Sequence, residues 1–297
     1  MNISSTLGIP GTALKLLLAL AITAIQPRLA HAATATYKEG SPDPFTALTY
    51  SGTSDTVLLT QGGNSTDNLG LRGDFSAGRR DGSGGGTAHG LIRFNIASLT
   101  GQYASINSVT LRLYPDFVIV PASITETLEV HRVTAADSGW VEGNGTSFTG
   151  FGPEDVGGST WAFRVQGSSP GTGTPWAGSA GASTPGTDFN ASVLASSIFN
   201  ASTPLSTAYD LVFNDVSFLA AWAAGSNEGL LLKIPNDTTF TDRREIGFWS
   251  SEDAGLGGAN RAELLINYNS VPEPGVFGLL LVGAVSALSR KRRFATY

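Results

Sequence analysis

The sequence feature that most restricts the fold is a set of short segments in which apolar and polar residues alternate. In SVTLRLY (108–114), the apolar residues Val109, Leu111 and Leu113 are separated by residues that carry polar groups. Successive side chains of a β-strand point to opposite faces of a sheet, so this period of two predicts a strand with one buried face. A chain made of such segments folds by pairing strands.

Comparable segments recur along the chain between turns rich in glycine and proline. The 297 residues include 37 glycines and 14 prolines, and only 14% are charged, which favours turns and short strands over long helices. We predict strands at 54–61, 90–99, 108–114, 127–133, 160–166, 206–213, 229–234, 245–251 and 262–268. This pattern predicts an all-β fold, a β-sandwich of jelly-roll type.

One segment follows a helical period instead. In residues 214–226 the apolar residues Val216, Leu219 and Trp222 lie three apart, and Gly225 can end the helix. We therefore predict one short helix among the strands. A long loop rich in Gly, Pro, Ser and Thr spans residues 168–189, and loops of that length often carry function.

Charge and cysteine content exclude several kinds of site. The chain has no cysteine, so it has neither disulfides nor thiolate ligands. Six of the 18 basic residues and one of the 24 acidic residues lie in the two end segments, which leaves the body 12 basic and 23 acidic residues, a net charge of −11. A body this acidic repels phosphate backbones, so nucleic acid is not an expected partner.

Candidates for catalysis are few. His89 and His131 are the histidines of the body; His131 is expected on the exposed face of its strand, and both are expected to be structural or solvated. The segment 167–171 matches G-x-S-x-G, but no helix can follow it because prolines and glycines do, so it lacks the context of a nucleophile elbow. The acidic pairs at 154–155 and 252–253 are interpreted as surface carboxylates. We predict that the protein is not an enzyme, and that it has no catalytic residues.

Two ligand classes stay open. A structural calcium ion is possible, since Asp67, Asp74 and Asp81 lie in a glycine-rich region, but their spacing fits no EF-hand and the ligands cannot be assigned. For carbohydrate, Trp176 in the long loop is the best candidate contact. The alternative is that Trp176 anchors this loop to the body.

The N-terminus has the layout of a secretory signal peptide, predicted for residues 1–32. Lys15 precedes a ten-residue apolar stretch at 16–25, and Ala30 and Ala32 give the small-x-small pattern that signal peptidase requires. The mature protein is expected to begin near Ala33, so the folded domain is predicted at 33–270.

The C-terminal segment, 271–297, has three parts in order. A Pro-Glu-Pro triplet precedes an apolar run of about 13 residues, roughly 20 Å of helix, which is short for a bilayer core of about 30 Å. A basic cluster follows, as expected for a stop-transfer signal facing the cytoplasm. The residues of the triplet region are Val271, Pro272, Glu273, Pro274 and Gly275, and those of the basic cluster are Arg290, Lys291, Arg292 and Arg293.

This order resembles the PEP-CTERM sorting signal. The resemblance implies export by a Gram-negative bacterium, transient insertion in the inner membrane and cleavage by an exosortase near the triplet. The final location would be the cell surface or the extracellular polysaccharide matrix.

Across most of residues 54–268 the chain carries, in order, GLIRFNIASL, INSVTLRLY, LEVHRVTAADSGWVEG, STWAFRV with TPWAG, EGLLLKI and FWSSEDAGLGGANRAELLINY. This order resembles the DNRLRE domains, secreted jelly-roll modules related to a carbohydrate-binding group. Asn95 and Ala262 depart from the family pattern, which has Asp and Pro there. We expect a non-enzymatic surface or matrix protein. The alternatives are a carbohydrate-binding module for extracellular polysaccharide and, less favoured, a polysaccharide-degrading enzyme.

Overall fold

The computed structural model describes residues 31–60, 65–80, 86–146 and 150–271. By its internal contacts the chain divides into two units, Met1–Ala32 together with Asn269–Tyr297, and Ala33–Tyr268. Most of the first unit lies outside the described residues, and with it the predicted signal peptide, the Pro-Glu-Pro triplet, the C-terminal hydrophobic helix and the basic cluster. Within the described ranges, no helix is both long enough and apolar enough to cross a membrane.

The second unit is all-β, as predicted, and its larger sheet is antiparallel between all neighbouring strands. The strand order of this sheet is β10 (Ala195–Asn200), β7 (Thr125–Arg132), β12 (Leu230–Lys233), β4 (Thr87–Phe94), β3 (Asp74–Arg79), β13 (Arg244–Trp249) and β6 (Pro115–Ile119), with β2 (Thr53–Leu59) along the other edge of β4.

A smaller sheet has four strands, and a third has two. The four-stranded order is β1 (Ala32–Lys38), β14 (Glu263–Ser270), β5 (Tyr103–Leu113) and β11 (Tyr209–Val212), and the two-stranded sheet is β8 (Phe163–Gln166) with β9 (Gly173–Pro175). The alternation in 108–114 is confirmed, because Val109, Leu111 and Leu113 are all fully buried in β5.

The main hydrophobic core joins strands of the two larger sheets. Phe94 of β4, Leu128 of β7 and Phe248 of β13 pack in one cluster with Leu111 of β5 and Ile266 of β14. The residues of each strand that reach this cluster are two apart, because only every second side chain points inward. The arrangement is that of a β-sandwich.

Over β2, β4 and β12 the other face of the eight-stranded sheet is also buried. Residues 133–146 and 150–189, called the cover segment below, supply Trp140 and Trp176, which pack against Leu58 of β2 and Leu91 of β4 in a second cluster. Burial on both faces explains why β2 and β4 are almost continuously buried rather than alternating. The long loop predicted at 168–189 is therefore part of a covering layer.

The predicted helix is real but shorter than expected. Helix α1 spans Leu219–Ala223, with Leu219 and Trp222 buried. Gly225 follows with a φ of +105°, a conformation that glycine adopts without a side-chain clash, and this ends the helix as predicted.

Among the described residues, five strands lie outside the predicted segments. Strands β6 and β10 form the two ends of the larger sheet's strand order, and β6 opens with a proline, which edge positions tolerate because one side needs no ladder hydrogen bond. Strand β3 lies in the glycine-rich region, where no strand was predicted, and Phe75 and Ala77 are buried there. Strands β1 and β9 were also not predicted.

Candidate metal centre

Three carboxylates from distant parts of the chain meet at one end of β2. Asp55 belongs to β2, Glu142 follows Trp140 in the cover segment, and Glu252 follows β13. One oxygen of each lies within 4.8 Å of the other two. We call Asp55, Glu142 and Glu252 the carboxylate centre.

Backbone groups hold these side chains in place. The Asp55 amide donates to Glu142 Oε1 at 2.6 Å, and the Ser251 amide donates to Asp55 Oδ2 at 2.8 Å. The Ser251 hydroxyl donates to Glu252 Oε1 at 2.7 Å. The turn after β13 and the cover segment are thus both bound to β2 through the centre.

Positive charge does not balance the centre. Within the described ranges, none of its three carboxylates forms an ion pair. The charge of Arg93 acts on Glu142, but its guanidinium lies over the Trp140 ring at 4.6 Å and donates to the Ser138 carbonyl. The centre therefore concentrates three acids with little compensation.

The carboxyl groups respond by holding protons more tightly. Burial, followed by the charge of Glu252, raises the pKa of Asp55 well above its usual range. Burial also raises the pKa of Glu142 to about 7 and the pKa of Glu252 above its ordinary value. In both glutamates the charge of Glu39 adds to the effect. Such groups bind either protons or a cation.

The donor set fits a hard divalent cation. Glu252 Oε2 is buried and has no hydrogen-bond partner, so one oxygen of the centre has a free lone pair. The centre offers carboxylate oxygens, which suit Ca²⁺ better than the softer transition metals.

The acids singled out for calcium do not form this centre. Asp74 pairs with Arg72 at 2.7 Å. Asp67 accepts from the Gly150 amide at 3.3 Å. Burial, together with the charge of Asp155 rather than that of the centre, raises the pKa of Asp67. Asp81 lies outside the described residues.

The two acidic pairs were expected to be surface carboxylates, and each contains a buried residue. Glu252 belongs to the centre, whereas Asp253 turns to accept from the Gly255 amide at 2.7 Å. In the other pair Glu154 is exposed, but Asp155 is buried and accepts from the amides of Asn68 and Gly152. Asp55 and Glu142 were not predicted as site residues.

Trp176 is not placed to contact a carbohydrate. Its side chain is only 4% exposed, and its indole nitrogen donates to the Thr160 carbonyl at 3.1 Å. A sugar stacks on an exposed ring face, and this ring has none. The alternative, that Trp176 anchors the long loop, agrees with the structure.

Both histidines have structural contacts, and the predicted exposure of His131 was wrong. Its ring packs edge-on against Phe189 and lies 3.0 Å from the Asn190 carbonyl. His89 is 2.7 Å from the Gly181 carbonyl and 2.9 Å from Asp237 Oδ2. Residues of the cover segment and their neighbours bury the His131 ring, which alternation along the strand would place in solvent.

The predicted processing residues lie at the margins of the described chain. Ala32 begins β1, and Val271 is the last described residue, with 45% of its surface exposed. Ala30 and the residues from Pro272 onward lie outside the described ranges.

No protein-family model matches the chain, and no curated protein matches it either. The fold and site together define an all-β protein with a carboxylate-rich candidate metal centre.

Proposed function

We propose that this chain is an exported, non-enzymatic β-sandwich protein of the bacterial surface or exopolysaccharide matrix, and that its folded domain binds Ca²⁺ at the carboxylate centre. The observation that carries the calcium proposal is the convergence of Asp55, Glu142 and Glu252 within 4.8 Å. The location rests on the sequence of the two end segments, which resemble a signal peptide and a PEP-CTERM signal.

Calcium would join three parts of the domain that are far apart in sequence. Asp55 and Glu142 are 87 residues apart, and Glu252 comes from a third segment. A cysteine-free exported chain has no disulfides to fix such segments, and a bound ion supplies an equivalent constraint because only the folded chain assembles its ligands. The proposed role of the ion is structural.

The test is calcium binding by the mature protein, first stripped with EDTA. We expect isothermal calorimetry to detect Ca²⁺ binding, and the melting temperature to rise with Ca²⁺ concentration. Glu252→Gln keeps the side-chain shape but removes charge, and should weaken binding at least tenfold. Glu154→Gln, which changes an exposed glutamate, is the matched control. If Ca²⁺ neither binds nor shifts the wild-type melting temperature, the calcium proposal fails.

Location needs a separate experiment, because the centre says nothing about sorting. Intact-mass analysis of the protein from its own host should show loss of residues 1–32 and of the segment after the Pro-Glu-Pro triplet. A mass that retains every residue to Tyr297 would contradict cleavage of the tail.

A second candidate function is carbohydrate binding, and an open cleft favours it. The cleft has a volume of about 560 Å³, which is within the size range of small-ligand sites. It is lined in part by Ser54, Arg93, Asn95 and Asn227, whose polar groups suit the hydroxyl groups of a sugar. Asn95→Ala should then weaken retention on the recognised glycan, whereas Asn200→Ala, which removes a similar turn-forming amide outside the cleft, should not. No retention on a glycan array or on native matrix would dismiss this function.

The non-enzymatic part of the proposal is tested on the same matrix material. We expect no release of reducing or unsaturated ends during prolonged incubation with the purified protein. Release that disappears in Glu142→Gln would instead identify a polysaccharide-degrading enzyme.

A further inference from the structure

Two buried aspartates of the cover segment lie close together. Asp137 ends the 3-10 turn Ala135–Asp137, and Asp188 precedes Phe189. Both residues are completely buried, and their carboxylates accept hydrogen bonds from two consecutive amides, those of Ala177 and Gly178. Two ionised carboxylates cannot hydrogen-bond to each other, because neither has a donor.

Asp188 is saturated by backbone donors. Its Oδ1 accepts from the Gly178 amide at 2.5 Å, and its Oδ2 accepts from the amides of Ser179 and Thr184 at 3.1 and 2.7 Å. Both oxygens of Asp188 therefore act as acceptors.

Asp137 has a different environment. Its Oδ1 accepts from the Ala177 amide at 3.0 Å and lies 3.5 Å from Arg164 Nη1. Its Oδ2 is buried without a protein donor. A proton on this oxygen would satisfy it and give Asp188 a fourth donor.

We propose that Asp137 and Asp188 share one proton, carried on Asp137 Oδ2, and that this proton latches the loop 176–189 onto the sheet. Asp188 gathers the loop through three amides, and its own carbonyl accepts from the Thr134 amide at 2.9 Å. The shared proton joins this loop to the turn that holds Asp137. Losing the proton places two negative charges in contact and weakens the latch.

The latch faces few other charges. Arg164 of β8 is the cation next to the pair, and it also donates to the Ala136 carbonyl. The other side of the loop meets His89, which contacts the Gly181 carbonyl, and His89 in turn contacts Asp237. These groups anchor the loop at a second point, so opening of the latch is expected to loosen residues 176–189 without unfolding the sheet.

The pH dependence follows from where the proton binds. Burial, followed by contact with Asp188, raises the pKa of Asp137 to about 6, whereas an exposed aspartate titrates near 4. The closed loop thus holds a proton that the open loop releases between about pH 4 and 6. Closure is most favourable at low pH, weakens as the pH rises through this window, and levels off above it.

Hydrogen exchange tests this directly on the full mature protein in EDTA, with intrinsic rates corrected for pH. Protection of peptides from residues 176–189 should fall about tenfold between pH 5 and pH 7.5, while peptides from β7 and β12 should not change in this way. Equal protection of the loop at the two pH values would overturn the proposal, whether or not any variant folds.

Two asparagine variants separate a shared proton from simple packing. Asp137→Asn places an amide N–H where the proton would lie, so it should abolish the pH dependence and raise protection at pH 7.5 about tenfold. Asp188→Asn turns an amide group toward backbone donors, and should lower protection at both pH values. If Asp137→Asn also lowers protection at both pH values, the shared proton is absent.

Discussion

The inner face of the eight-stranded sheet and the part of its outer face over β2, β4 and β12 are buried by different means. The inner face meets strands of the smaller sheet through apolar side chains such as Leu128 and Phe248. The outer face meets the cover segment, where Trp140 and Trp176 are accompanied by buried polar groups, Asp137 among them. The inner face is therefore stabilised mainly by burial of apolar area, and the outer face also by directional hydrogen bonds to buried polar groups.

Removing one large side chain from each face tests whether the two faces contribute differently to stability. Phe248→Ala should lower the free energy of unfolding by about 3–5 kcal/mol, the usual cost of such a core truncation. Trp176→Ala should expose the cover segment to hydrogen exchange but lower the global unfolding free energy less, because the inner core stays intact. Urea denaturation and hydrogen exchange together measure both effects.

If Trp176→Ala lowers the urea midpoint as far as Phe248→Ala does, with matching loss of protection in all strands, the cover segment and the sandwich unfold as one cooperative unit. The two faces would then differ in composition but not in stability.

Calcium should act mainly on the outer face, since Glu142 belongs to the cover segment. At a free Ca²⁺ concentration one hundred times the dissociation constant, we expect about 2.7 kcal/mol of stabilisation. Hydrogen exchange should show the added protection around Glu142 and the turn after β13, and little in β5. Asp55→Asn should remove both effects, and protection spread evenly over the domain would contradict a local role.

Removing an ionised acceptor from the outer face should have a somewhat smaller effect. Asp188→Asn leaves amides of Gly178, Ser179 and Thr184 facing an amide group, and a buried donor without a partner costs about 1–3 kcal/mol. Thermal denaturation at pH 7.5 measures the change. Asp43→Asn is the control, because Asp43 also accepts hydrogen bonds from backbone amides but lies outside the cover segment and is only partly buried. If Asp43→Asn lowers the stability as much as Asp188→Asn does, burial does not determine the size of the effect.

The two faces also differ in how far the sequence predicts them. Alternation identified the residues of β5 that pack on the inner core, because a sheet face packed on one core imposes a period of two. The same rule placed His131 in solvent, and the structure buries it under Phe189. Alternation predicts which face of the sheet a side chain points to. It does not predict whether residues far along the chain cover that face with a second layer.

The carboxylate centre shows the same limit. Glu142 and Glu252 lie within SGWVEG and SSED, two of the segments on which the resemblance to DNRLRE domains rests. Asp55 lies in an ordinary strand segment, and the centre forms only when β2 pairs with β4 and the cover segment returns. Ligands separated by such distances have no local spacing for a sequence pattern to reveal, unlike an EF-hand loop.

The smallest expected effect is at an ion pair on the four-stranded sheet, away from both buried faces. Arg112 of β5 and Asp210 of β11 face each other and form two hydrogen bonds, at 2.7 and 2.9 Å, with side chains 30% and 41% exposed. Solvent screens such a pair, so Arg112→Ala should cost less than about 1 kcal/mol despite the good geometry. The cost should shrink further in 0.5 M salt, where the screening length is shorter, and a double-mutant cycle with Asp210→Asn isolates the pair from the contact that Arg112 makes with Glu263 at 3.9 Å. A coupling energy as large as the loss in Asp188→Asn would show that hydrogen-bond geometry, rather than burial, sets the strength of acidic contacts in this protein.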